Sequence, residues 1–222
     1  MEATGAAGYP REPGDAPAPH TPSGAIASWI PADPAPLGLA GFSLTTFMLG
    51  MVNANFIDGK DVFAVLSVAA AYGGLAQLLA GMWAFREGNT FAAVAFSSYG
   101  AFWISFVFLV QFFLPEANAA TAGHAVALYL FCWGFFTFYM WIGTFALNTA
   151  LWLVFGTLWI AYLLLGLGDL GGGSTTIAHI GGYVTILCAL IAWYTGAALV
   201  LNRTLGRVVL PLGGPLLRPA VA

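Results

Sequence analysis

The sequence predicts an all-α integral membrane protein, with six transmembrane helices in one bundle and both chain ends on the same side. Three observations predict it. Only 7% of the 222 residues are charged while 60% are hydrophobic, against a charged content of about 25% in soluble domains. Between Leu37 and Leu201 every charged residue (Asp58, Lys60, Asp61, Arg86, Glu87, Glu116 and Asp169) falls in a short break between apolar runs, as expected where a charge at the bilayer centre is costly. The runs reach the ~20 residues a helix needs to cross a bilayer, and they are too continuous for barrel strands.

Residues 1–36 hold eight of the twelve prolines and read as a disordered cytoplasmic tail. The tail has no apolar run suited to a signal peptide, so the first helix carries targeting. That helix is expected at 37–56, closed by Ile57-Asp58-Gly59-Lys60-Asp61. The second, 62–85, ends at Arg86-Glu87-Gly88-Asn89, and the third, 90–114, stops at Pro115-Glu116. A fourth at 124–145 and a fifth at 148–167 are parted only by Leu147-Asn148-Thr149. Asp169 and Gly171-Gly172-Gly173-Ser174 lead into a sixth at 177–201. The transmembrane domain thus covers 37–201, and 202–222 form a second cytoplasmic tail.

Loop charges set the orientation. Arg11, Arg86, Arg203, Arg207 and Arg218 fall on one side and Lys60 on the other, which places both termini in the cytoplasm. Trp29, Trp83 and Trp193 suit interfacial anchoring.

Several function classes have no support. The net charge of -3 is spread along the chain and offers no basic patch for nucleic acid. Cys132 and Cys188 sit in apolar runs, where a thiol acts as a small hydrophobe. His124 and His179 are isolated, and neither HExxH nor Gly-x-Ser-x-Gly occurs, so no enzyme, metal or cofactor is expected. Lys60 lies in a loop, which argues against a buried Schiff base.

Polar residues without charge recur inside the spans: Thr45, Thr46, Asn53, Gln77, Ser97, Ser98, Tyr99, Gln111, Thr137 and Thr157. For a single Ser or Thr the simpler role is a bond to the preceding turn's carbonyl. Gln77 differs, because a primary amide in mid-span needs several partners and a water-lined path is one source. Glycines such as Gly38, Gly41, Gly73, Gly81, Gly182 and Gly196 occur at spacings that let helix backbones approach closely.

Asp33-Pro34-Ala35-Pro36-Leu37-Gly38-Leu39, Tyr72-Gly73-Gly74-Leu75-Ala76-Gln77, and Gly88-Asn89-Thr90-Phe91 with Ser98-Tyr99-Gly100-Ala101-Phe102-Trp103 stand in order on the first three helices. Together they resemble the acetate uptake transporter family, which contains the bacterial succinate-acetate permeases and yeast acetate and ammonia-export proteins. The similarity spans about residues 33–213. It implies a homo-hexamer in the lipid bilayer, each protomer with its own path for small carboxylates such as acetate. The family's Phe-Tyr-Leu constriction corresponds to Phe42, Tyr99 and Leu158, and a size-selecting position to Ala192. The signature positions are Asp33, Pro34, Pro36, Gly38, Tyr72, Gly73 and Gly74. Asp33 departs from the family's Asn; either residue caps a helix, but Asp adds negative charge at the mouth.

The expected function is a permease or channel for acetate and related short carboxylates, succinate included, either passive or proton-linked. With no buried Lys or Arg, neutral donors such as Thr45, Gln77 and Tyr99 would meet the substrate, aided by helix N-termini, and weak contacts suit release. Acetic acid can carry its own proton, so uptake needs no relay residue. Ammonia or ammonium export, and a non-transporting sensor or scaffold, are the alternatives.

Overall fold

A computed structural model describes residues 31–170 and 174–217. Residues 1–30 of the expected tail, with Arg11 and Trp29, lie outside the described residues, as do Gly171, Gly172, Gly173 and Arg218. Six helices among the described residues are long and apolar enough to cross a membrane: α1 Ala35–Asn53, α2 Gly59–Glu87, α3 Thr90–Glu116, α4 Ala122–Thr144, α5 Thr149–Asp169 and α6 Thr175–Thr204.

Local chemistry starts and stops each helix. Asp33 Oδ1 accepts the Ala35 N–H at 2.8 Å ahead of α1, and Pro36 occupies its first turn, where a missing N–H costs nothing. Asn89 Oδ1 accepts from Ala92 N at the start of α3, and Asn148 Oδ1 from Leu151 N at the start of α5. At one end of the bundle, α3 and α5 therefore begin with a capping amide, and the Asp33 carboxylate accepts the first N–H of α1 from just ahead of it. Gly88 ends α2 at φ 81°, a left-handed conformation that favours glycine. The second span begins earlier than expected, because Asp58 caps a 3-10 turn over Gly59–Asp61 that runs on into the helix.

Two helices contain wider turns. Ala69–Ala76 in α2 and Leu109–Phe113 in α3 are π-helical, a form that often marks functional positions. In α2 it carries Tyr72-Gly73-Gly74, where α1 comes close. A Cβ at Gly41 would lie 2.6 Å from the Tyr72 carbonyl oxygen, and one at Gly73 2.5 Å from Thr45 Oγ1. Neither position has room for a side chain.

Neighbours in sequence pack as neighbours in space, and α6 returns to α1, so the helices form a closed ring. Between α3 and α4 the link is made by side chains: Tyr99 with Thr137, Ser105 with Tyr129, and Phe102 against Trp133 at 5.2 Å between ring centres. The core is aromatic, built on Phe42, Phe96, Tyr99, Phe102, Trp103, Phe155 and Tyr162. Phe63, Phe112, Phe135 and Leu187 lie exposed on the outside, as a lipid-facing surface requires.

The segment after 201 departs from a trailing tail. α6 continues to Thr204, Gly206 turns the chain at φ +64°, and residues 207–217 run back over the bundle end. Asn202 holds this strap through Nδ2 to Leu210 O and through Oδ1, which accepts from Val209 N and Leu210 N. Tyr194 OH donates to Pro211 O, Ala150 N to Leu212 O, and both Leu216 N and Leu217 N to Phe145 O. Asn202→Ala removes three bonds and is expected to cost about 2 kcal/mol, a fall of roughly 4–8 °C in melting temperature in detergent. An unchanged melting temperature would show that the strap adds nothing to stability.

Candidate functional site

Inside the ring the described residues line two cavities. The first, about 430 Å³, opens at the end where α1, α3 and α5 begin. Its lining includes Asp33 ahead of α1, Asn89 and Asn148, the caps of α3 and α5, Glu87 at the end of α2 and Leu212 of the strap. The positive ends of three helix dipoles converge on this mouth, and the Asp33 and Glu87 carboxylates oppose them. The second cavity, about 220 Å³, lies towards the opposite end and is lined there by Asn53, Gly59, Val62 and Asp169. Among the described residues no Lys or Arg lines either cavity.

Two side chains, Phe42 of α1 and Leu158 of α5, line both cavities. They form the wall between the two spaces. Tyr99 of α3 borders the first cavity and packs on Phe42, with ring centres 5.8 Å apart. Phe136 and Phe155 brace Tyr99 at 5.3 and 6.0 Å. All three expected constriction residues thus meet at one level, and the collar they make is wholly aromatic and aliphatic.

The hydroxyl of Tyr99 faces away from this work. It lies 2.9 Å from Thr137 Oγ1, whose single proton is donated to Trp133 O at 2.8 Å. Tyr99 must therefore be the donor to Thr137, so its ring narrows the path while its proton is already engaged. Tyr99, expected as a substrate donor, gives its proton to Thr137 in this structure.

Of the two other polar residues expected at the path, only Gln77 lines a cavity. It is 1% exposed, borders the first cavity, and its Oε1 has no hydrogen-bond partner among the described residues. Thr45 lies outside both cavities: its hydroxyl donates to Gly41 O at 2.9 Å and its side chain fills the notch over Gly73. Thr45, expected as a substrate contact, is engaged in this structure at the α1–α2 interface.

Ala192 is fully buried in the core cluster that contains Leu158 and Phe155, and lines neither cavity. Among the signature residues Asp33 reaches the first mouth, Pro34 and Pro36 set the start of α1, and Gly38 admits the Phe96 ring, which would lie 2.5 Å from a Cβ. Tyr72 contributes its backbone to the approach of α1, whereas Gly74 meets Ile104 of α3. His124 and His179 border neither cavity.

Sequence reasoning missed the residues one turn past the collar. Thr46 follows Phe42, Trp103 follows Tyr99 and Tyr162 follows Leu158, each by four positions, and all three line the second cavity. The i, i+4 spacing was the available signal.

Comparisons with known proteins agree with this architecture. A family model described as the GPR1/FUN34/yaaH family matches residues 20–213. An uncharacterized protein of Methanothermobacter thermautotrophicus is 41% identical over 81% of the chain and 90% of its own length. The succinate-acetate/proton symporter SatP of Escherichia coli K12 is 38% identical over 82% of the chain and 95% of its own. Among solved structures, that of the bacterial acetate channel SatP superposes with a TM-score of 0.77 at 36% identity, covering 82% of this chain and 99% of that one.

Proposed function

The chain belongs to the GPR1/FUN34/yaaH family, and from that premise we propose that it conducts acetate and related short carboxylates, succinate included, across a membrane. One observation carries the reading: two cavities lead from opposite ends of the bundle to a shared wall of Phe42 and Leu158. A permeant that crosses that wall needs small cross-section and an apolar end, and acetate has both.

Charge is handled without a fixed cation. The helix ends at the first mouth attract an anion, and Gln77 supplies an amide ahead of the collar. A carboxylate would shed water to pass the collar, a step that is easier for the protonated acid; movement as acetic acid also links a proton to transport. In this reading Ala192 tunes the size admitted, and the chain functions as a homo-hexamer with one path per protomer. Both termini lie in the cytoplasm of a cell bounded by its plasma membrane. The excess of arginine at the end bearing Arg86, Arg203 and Arg207, opposite Lys60, supports that orientation.

Uptake of labelled acetate by proteoliposomes at pH 6 tests the proposal. Saturable, protein-dependent flux is expected, and Gln77→Leu should lower it about tenfold while leaving the protein monodisperse, the loss of one hydrogen-bonding group being worth about 1.4 kcal/mol. Absence of saturable flux in the parent protein would refute it. The carboxylates at the mouths, Asp33, Glu87 and Asp169, favour a second reading, passage of ammonium. Methylammonium flux exceeding acetate flux would select it.

A further inference from the structure

We propose that residues 207–217 form a lid over the first cavity with Leu212 as its latch, so that entry from that end is gated by the strap before a permeant reaches the collar. The gating role rests on the transport reading above, but its test is read on the lid alone. Within the strap, Leu212 is the residue that lines the first cavity. It also borders an outer groove of about 470 Å³, together with Leu153 of α5 and Leu190 and Tyr194 of α6. The side chain therefore stands between the mouth and the outside of the bundle, with an apolar seat on either side.

The way the strap is held suits an element that opens by itself. Of residues 207–217 only Leu210 and Leu212 are half-buried, while Val208, Leu216 and Leu217 lie exposed with the rest. The fastenings are hydrogen bonds near the surface. Those from Tyr194 OH to Pro211 O, from Val209 N to Asn202 Oδ1 and from Thr149 Oγ1 to Gly214 O are all exposed. Few buried apolar contacts and exposed hydrogen bonds mark a segment that opens at less cost than the bundle it covers.

The backbone supplies a hinge and a stop. Gly206, at φ +64°, has open space where a Cβ would stand, whereas a Cβ at Gly213, at φ +74°, would press on Thr149. The chain can turn at Gly206, where glycine changes conformation freely, and Pro211 stiffens the segment that carries the latch. Closure is tied to α5, because Ala150 N donates to Leu212 O and so holds the latch at the mouth. Asn202 grips the two residues before Pro211, which makes the strap move as a unit. With the lid down, Leu212 sets an apolar side chain among Asp33, Glu87, Asn89 and Asn148. An apolar constriction gates by shedding water, and lifting this one widens the mouth without moving Phe42 or Leu158.

The test uses the full-length protein in detergent with a single added cysteine, labelled by methyl methanethiosulfonate, a small neutral reagent. Mass spectrometry reads each site separately from native Cys132 and Cys188. Ala95→Cys places the thiol in the first cavity and Val126→Cys in the second. Asn202→Ala is expected to speed labelling at position 95 about tenfold, the change that about 1.4 kcal/mol of lost hydrogen bonding gives. Leu212→Ala, which removes the latch and keeps the backbone bond to Ala150, is expected to speed it as well. Labelling at position 126 should stay at the parent rate in both. If Asn202→Ala is not recovered, Asn202→Asp takes its place, since it loses the bond to Leu210 O and keeps the acceptor for Val209 N and Leu210 N. An unchanged rate at position 95 overturns the lid, and so does acceleration by one substitution alone, because latch and strap must act together. Equal acceleration at 95 and 126 overturns it too, since a loosened bundle would then explain the effect. Labelling needs no acetate, so absent acetate flux would refute the transport reading and leave the lid standing.

Discussion

Proteoliposomes carrying Phe42→Ala are expected to admit butyrate at rates that the parent protein allows only to acetate. Among the described residues only Phe42 and Leu158 line both cavities, so deleting one ring joins a 430 Å³ space to a 220 Å³ space. A single methylene in an apolar passage discriminates by about 10-fold or more, and the butyrate-to-acetate flux ratio should rise by at least that factor. Loss of the ring also removes its contact with Tyr99 at 5.8 Å and should cost about 3 kcal/mol of stability, which thermal melting in detergent would register. Phe42→Leu keeps most of the volume and serves as the folding control. An unchanged flux ratio in Phe42→Ala would remove Phe42 from the collar.

The second large effect concerns folding. Gly182→Leu should yield no monodisperse protein on size-exclusion chromatography. A Cβ at Gly182 would run into the backbone at Asn53 and Ala54, where α1 ends against α6. Backbone cannot turn aside as the tip of a long side chain can. In lipid, helix association rests on close contact between small residues because tails solvate apolar side chains equally well, so the contact cannot be replaced by greasier packing. Gly214→Ala, where a Cβ would meet nothing within 4 Å, should be recovered at parent levels. A normal yield for Gly182→Leu would mean that α1 and α6 do not pack as described.

The spans were legible because the bilayer forbids what would blur them: each charged residue between 37 and 201 marks a break, and the six helices follow. Helix ends were less legible. Asp58 caps a 3-10 turn that extends α2 to Gly59, and hydrogen bonding to Asn202 carries α6 beyond 201. Such extensions depend on hydrogen bonds that composition does not record.

The collar could be placed through the motifs, yet Thr45 and Thr46 could not be told apart. Adjacent residues point about 100° apart on a helix, so only one of them meets the lumen. In a soluble helix the polar stripe would show which. Here lipid and core both select apolar residues, and the faces of α1 look alike in sequence. Gln77 was legible because its amide is costly anywhere but beside a path. Trp103 was not, since a buried tryptophan in a membrane helix is ordinary until its N–H is found without a partner.

The C-terminal strap also imposes an order on biosynthesis. Its anchors are Phe145, Thr149 and Ala150 at the α4–α5 turn and Tyr194 and Asn202 late in α6, and residues 207–217 follow all of them in the chain. The ribosome therefore delivers the strap after every span it fastens has been made. The Ala150 N–H at the start of α5 gains its partner, the Leu212 carbonyl, only once the strap has been made, so residues 207–217 act as a seal on a bundle already inserted.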